Sequence, residues 1–220
     1  MPQIQDNYYV PAIGLAMLDQ VWYPKTKMPK QLLYLTTNPH KVAEANRFFR
    51  DKYGFEIEIV NPDFAILEIQ AKTCAEVASF SAKYAAEKLG CPVLKSDSGL
   101  YLDALGGLPG PYNAYFDQQI GIEKFLDLLK NEPNRKARLE HCFAYCEPGC
   151  DPIVFTGGST GTIATESRGT LGRWHSKFYI PDGETKTLSE LQAIDPVREA
   201  TFWGTALDDF ARWYQKHQAK

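Results

Sequence analysis

No basic run in the sequence is long enough to track a nucleic-acid backbone, and the formal charge of −3 gives such a polymer nothing to hold. No apolar stretch approaches the roughly 18 residues that a membrane span needs. A secretory leader is not expected either, because residues 1–30 carry an early acid, Asp6, and prolines at 2, 11, 24 and 29. Internal repeats and low-complexity segments are absent. Cysteines number five, an odd count that fits a reducing cytoplasm better than a disulfide scaffold. His141, Cys142, Cys146 and Cys150 lack metal-ligand spacing. Cysteines four apart suit neither a C-x2-C knuckle nor strand alternation onto one point, so they read as core and edge thiols.

What is present is a buriable core. Hydrophobic residues make up 44% of the 220 and charged residues 23%, enough for one substantial α/β domain. Residues 1–30 read as an N-terminal extension and residues 31–220 as the domain. Gln31 to Leu35 is an expected strand. Thr36-Thr37-Asn38-Pro39-His40-Lys41 then leads into a helix with Val42, Ala45, Phe49 and Tyr53 on one face. Strand, polar loop and helix together point free N–H groups at an anion. Phe55 to Val60 reads as a second strand, and Phe64 to Gln70 as an extended path that carries Glu68 among apolar neighbours.

Thr73 and Glu76 have the spacing of a capping box before a helix to Leu89. Cys91 to Leu100 follows as a buried strand that delivers Asp97 to the rim of a sheet, a position that suits a magnesium ligand. The alternation β-α-β-β-α-β over the first hundred residues argues an α/β fold. Further on, one amphipathic helix is expected around Ile122–Leu129. Two long strands are expected over 137–146 and 152–165, the second with a bulge or kink at Gly157–Gly161. A short helix over 187–191 and a last helix from about Phe202 to Gln215 complete the chain.

Taken in order, these motifs resemble the inosine triphosphate pyrophosphatase family. Thr36-Thr37-Asn38-Pro39-His40-Lys41 is similar to its T-G-N-x-x-K loop, and Leu67-Glu68-Ile69-Gln70 to its first magnesium-ligand segment. Ser96-Asp97-Ser98-Gly99-Leu100 resembles D/E-D-S-G-L, and Ala104 to Tyr112 matches A-L-G-G-x-P-G-x-Y. Gly158 to Ile163, Arg168-Gly169 and Pro181-Asp182-Gly183 fall in family order, so the resemblance covers about residues 31–215.

The resemblance implies an elongated, two-lobed α/β domain with a central mixed β-sheet and an active-site cleft between the lobes. It implies a cytoplasmic homodimer that hydrolyses a nucleoside triphosphate to the monophosphate and pyrophosphate. By it, Glu68 and Asp97 hold Mg2+, Asp97 and Lys41 are catalytic, and Thr36, Thr37, Asn38, Lys41 and Ser98 grip the phosphates.

The departures cluster. Ser96 stands where the family has a second acid. The base-reading loop F-G-[YW]-D-P corresponds by spacing to Arg173-Trp174-His175-Ser176-Lys177, without its acid. The S-H-R triplet corresponds to Thr201-Phe202-Trp203, and Arg198 lies within one position of a family lysine. Trp174, Phe202 and Trp203 either stack on a ring or merely fill a degenerate loop; in the first case Arg173, His175 and Lys177 offer new polar contacts, with Arg198 near the place of the family lysine. The expectation is altered base selectivity. The competing readings are a catalytically weak nucleotide-binding protein and a hydrolase of another phosphorylated small molecule.

Overall fold

Residues 32–36, 41, 45, 48–54, 58–60 and 67–218 are described by the computed structural model. Expectations for the N-terminal extension and for Thr37, Asn38 and Val42 lie outside the described residues. Seven strands form one sheet: β1 (Leu33–Leu35), β2 (Glu58–Val60), β3 (Val93–Leu102), β4 (Pro109–Gly110), β5 (Lys136–Cys146), β6 (Ile153–Ile163) and β7 (Tyr179–Pro181). Their spatial order is β2-β1-β3-β5-β6-β7, with β4 also paired to β3. β1 runs parallel to β2 and β3, whereas β3, β5, β6 and β7 pair antiparallel in turn. The sheet is mixed and the fold α/β, as the alternation of elements predicts.

Helix α1 (Cys74–Leu89) begins at the expected capping box: Thr73 accepts from Glu76 N, and Glu76 Oε2 accepts from Thr73 N. Its buried face is Ala78, Ala82, Ala85 and Ala86. These small side chains let the helix lie close on Val93, Tyr101, Cys142, Ala144 and Cys146 of β3 and β5. The other face of the sheet carries two separate cores. One gathers Tyr34, Leu94, Phe143 and Tyr145 under Phe210, Ala211 and Tyr214 of the last helix, α6 (Ala206–Gln218). The second gathers Leu100, Leu102, Leu139, Phe125, Trp174, Phe178 and Tyr179.

Strand periodicity explains the gap between them. Side chains alternate faces, so Ser96 and Ser98 follow Leu94 on this face before Leu100 resumes the apolar row. Ser98 pairs with His141, and His141 with Gly157. A strip of serine, histidine and glycine thus divides two hydrophobic lobes, and Arg173 and Trp203 meet it there, while Asp97, between the two serines, points to the other face of β3.

An unforeseen helix, α2 (Asn113–Gln119), precedes the one expected near Ile122, which is α3 (Gly121–Leu128), and Gly121 at φ 73° separates them. Two local expectations need correction. The last helix starts four residues later than expected, because Gly204 at φ 79° interrupts the chain. Ahead of it stand α4 (Leu188–Ile194) and α5 (Pro196–Thr201), the latter opened by an Asp195 side chain that accepts from Arg198 N. The glycines of β6 form no bulge, since the β5–β6 register is unbroken from Lys136 to Tyr145. They are there for close approach: a Cβ on Gly157 would lie 2.8 Å from the backbone nitrogens of Thr205 and Ala206.

Candidate active site

β1 accompanies β3 only as far as Leu94, and β4 rejoins it at Leu100. Among the described residues no strand covers that edge of β3 from Lys95 to Gly99. Lys41 fills part of the opening. Its Nζ donates to Ser96 Oγ at 3.2 Å and to the Ser96 carbonyl at 3.5 Å. Ser96 Oγ also shares a 2.6 Å hydrogen bond with Tyr34 OH. Where the family carries an acid, this chain has a hydroxyl that locks a lysine to the first strand.

Burial, with the Arg173 guanidinium second, holds Lys41 down to about 8, while Asp97 opposes the fall. The same burial pushes the Asp97 carboxyl above the usual carboxylate range. The Lys41 ammonium, the Ser98 backbone N–H and the Cys74 thiol pull it back, and Glu68 adds to the rise. Asp97 Oδ2 is buried and has no hydrogen-bond partner among the described residues. An orphaned carboxylate oxygen beside a lysine is a group waiting for a cation or a water.

Glu68 belongs to the same electrostatic neighbourhood, since its charge acts on both Lys41 and Asp97. Its side chain is 61% exposed, and its Oε1 lies 3.3 Å from Nζ of Lys95, whose side chain is only 8% exposed. No group of three His, Cys, Asp or Glu among the described residues is arranged to hold a metal alone. Two carboxylates do suit magnesium, which keeps several waters and takes its remaining ligands from phosphates. The unpartnered Asp97 Oδ2 fits that role.

The base side assembles around Trp203. Arg173 donates to Ser98 Oγ at 3.1 Å, and its guanidinium lies 5.6 Å from the Trp203 ring centroid. The indole meets His141 edge-on at 4.5 Å and His175 at 5.9 Å, while its Nε1 donates to Glu199. Burial, then Arg173, lowers His175 to about 3, and burial, then Arg173, holds His141 well below its ordinary value. His141 Nε2 and both nitrogens of His175 are buried without hydrogen-bond partners among the described residues. Arg173, His175, Trp203 and Ser98 therefore come together as the sequence suggests. His141, Lys95 and Tyr34 join them unforeseen. A charge inside an apolar run was the available signal for Lys95, whereas for His141 only the strand register reveals the position.

Other candidates fall elsewhere. Trp174 is buried between Phe125 and Phe178, at centroid distances of 4.9 and 5.0 Å, so its ring fills the core and offers no stacking face. Arg198 pairs with Glu184 at 2.9 Å and covers the Phe202 ring at 4.9 Å. Lys177 is half-buried, and its carbonyl accepts from Arg168 N. Thr36 is buried at the end of β1. A groove of about 530 Å³ is lined by Arg138, Glu140, Thr156, Thr160, Asp182 and Phe202 among others. Two acids in its wall make it a poor anion site, and of the candidate residues only Phe202 borders it. Chemistry, not concavity, marks the site.

A profile of the Ham1 family matches residues 32–213. The dITP/XTP pyrophosphatase of Methanopyrus kandleri is 41% identical over 189 residues, 86% of this chain and 98% of that protein. The protein of the same name from Thermococcus kodakarensis is 37% identical, over 85% of this chain and 98% of its own length. Among solved structures, a HAM1 protein from Coxiella burnetii superposes with a TM-score of 0.72 at 26% identity, covering 84% of this chain and 99% of that one. The chain belongs to the Ham1 family, and through it to the inosine triphosphate pyrophosphatases that its motifs resemble.

Proposed function

We propose that this chain hydrolyses a nucleoside triphosphate to the monophosphate and pyrophosphate, with Asp97 as the proton acceptor and Lys41 as the principal phosphate cation. The observation that carries the reading is the buried, unpartnered Oδ2 of Asp97, beside an ammonium anchored to the same strand. Relatives named dITP/XTP pyrophosphatase, similar over nearly their whole length, support it.

In the step proposed, water adds to the α-phosphorus, the α–β anhydride bond breaks, and pyrophosphate leaves with the electron pair. Asp97 orients the water and takes its proton; burial raises the basicity of the carboxylate, and Lys41 opposes that rise. Lys41 neutralises developing charge on the leaving group, and Thr36, Thr37, Asn38 and Ser98 hold the phosphates. Glu68 and Asp97 would hold magnesium, which when bound screens the polyphosphate and withdraws charge from its oxygens. With this reading go a magnesium requirement, a homodimer and a cytoplasmic setting, the last in keeping with five free cysteines. No helix among the described residues is long and apolar enough to cross a membrane.

Base choice is the finer part of the proposal. Deaminated purines are the family default, yet the polar contacts here are Arg173, His175 and His141 around Trp203, a set that alters selectivity. The test is a panel of natural and deaminated nucleoside triphosphates incubated with magnesium, scored for pyrophosphate and monophosphate. Release from a nucleotide outside the inosine and xanthine set supports the altered site. Release from those two alone removes that part of the reading. Binding without release from any nucleotide overturns the hydrolase.

A further inference from the structure

We infer that Lys95 is a resident cation that occupies Glu68 in the free protein, so that the divalent metal enters with the polyphosphate and not ahead of it. The inference rests on the hydrolase reading and deepens it.

Lys95 stands two residues before Asp97 on β3, and alternation puts the two side chains on one face. An ammonium this deeply buried needs a counter-charge. Glu68 supplies it at 3.3 Å, although Glu68 itself is mostly exposed and free to swing away. Charge counting then decides the order of events. Lys41, Lys95 and Arg173 contribute three positive charges to the neighbourhood, and Glu68 and Asp97 two negative ones. Among these five described residues the charges sum to one positive, which disfavours a bare divalent cation, and one of its two carboxylates is already paired. Ser96 adds no charge, being an alcohol where an acid would have added a negative one, and its hydroxyl is held by Tyr34 and Lys41.

A triphosphate reverses the sign. Its oxygens attract the ammonium groups, releasing Glu68 and bringing the metal's remaining ligands at the same moment. Lys95 is thus a positioning residue that acts through Glu68, and its effect appears in metal binding whether or not turnover occurs.

The experiment uses Mn2+ as the probe, titrated into the full chain by electron paramagnetic resonance, with and without an α,β-imido triphosphate analogue. Wild-type protein should bind Mn2+ weakly alone and at least tenfold more tightly with the analogue. Lys95→Met, which keeps the volume of the stem, should bind Mn2+ alone at least tenfold more tightly than wild type. Lys95→Arg should restore weak binding, and adding Glu68→Gln to Lys95→Met should abolish the gain. Equal Mn2+ affinity in wild type and Lys95→Met overturns the inference. So does wild-type binding that the analogue leaves unchanged, a comparison that needs no variant to fold. Pyrophosphate release without the Mn2+ contrast would sink this inference alone. The Mn2+ contrast without any release would sink the hydrolase reading and leave the cation assignment standing.

Discussion

Around Lys41 the polar groups answer one another: Tyr34 to Ser96, Ser96 to Lys41, Lys95 to Glu68, with one oxygen of Asp97 left over. Around Trp203 fewer do, for three imidazole nitrogens from His141 and His175 are buried with no hydrogen-bond partner among the described residues. On the proposed reading, the difference follows from what each half would bind. A polyphosphate is gripped by charge, which acts at range and tolerates small displacements, so its cations can be fixed in advance by bonds within the protein. A heterocycle is told from its neighbours by individual hydrogen bonds, and a donor or acceptor already satisfied internally has nothing left to read with. On that reading the unsatisfied half would be the selective one.

Breaking the phosphate half should cost most. Asp97→Asn keeps shape and removes the proton acceptor, and kcat for pyrophosphate release should fall by about 10²- to 10⁴-fold with the circular dichroism spectrum unchanged. Lys41→Ala should act next, raising KM roughly 10- to 100-fold, the value of a charge-assisted hydrogen bond, with a smaller change in kcat.

Lys41 also sets a pH dependence. Its folded-state value, about 8, lies below the ordinary 10.5, so the folded protein loses this proton first. The cost of burying the charge is therefore fully present below pH 8 and is relieved between 8 and 10.5. Lys41→Met should unfold at a higher temperature than wild type at pH 7, and the gap should close as pH rises through that window. Wild-type KM should climb above pH 8 as the ammonium is lost, an inflection that Lys41→Arg removes.

The base half should respond in ratio and not in rate. His141→Ala should change the relative kcat/KM of two bases by about tenfold, while Mn2+ binding and the affinity for inorganic tripolyphosphate stay put. If every base lost the same factor, the strip between the lobes would be scaffolding. Smallest of all, Thr73→Ala removes the capping box of α1 and should lower stability by about 1 kcal/mol in denaturant unfolding, leaving base ratios untouched.

Much of the phosphate half was legible from residues in a row. Lys41 in a strand-to-helix loop and Asp97 at the end of an apolar run are local patterns, and Thr73 with Glu76 is a local cap. Trp174 was ambiguous because an aromatic in a divergent loop looks the same in sequence whether it faces a ligand or Phe125 and Phe178. His141 was illegible for the opposite reason. Only the pairing of β5 with β3 and β6 sets it opposite Ser98 and under Trp203, and register is a property of two strands, not of one. The glycines of β6 misled in a third way, since a strand glycine that admits a neighbouring backbone reads the same as one that permits a kink.

That neighbouring backbone has a consequence of its own. The segment bearing Trp203 rests on β6 main chain to main chain, with Gly204 against Gly158 and Thr205 and Ala206 against Gly157, where a single methyl would intrude. The main chain that carries the indole is therefore seated on backbone alone, although the ring itself is also held by Glu199. Residues around it can be exchanged for others without tilting the mount, so this fold can be retuned to a new ring by swapping what surrounds the seat, while a lone alanine within it would unseat them all.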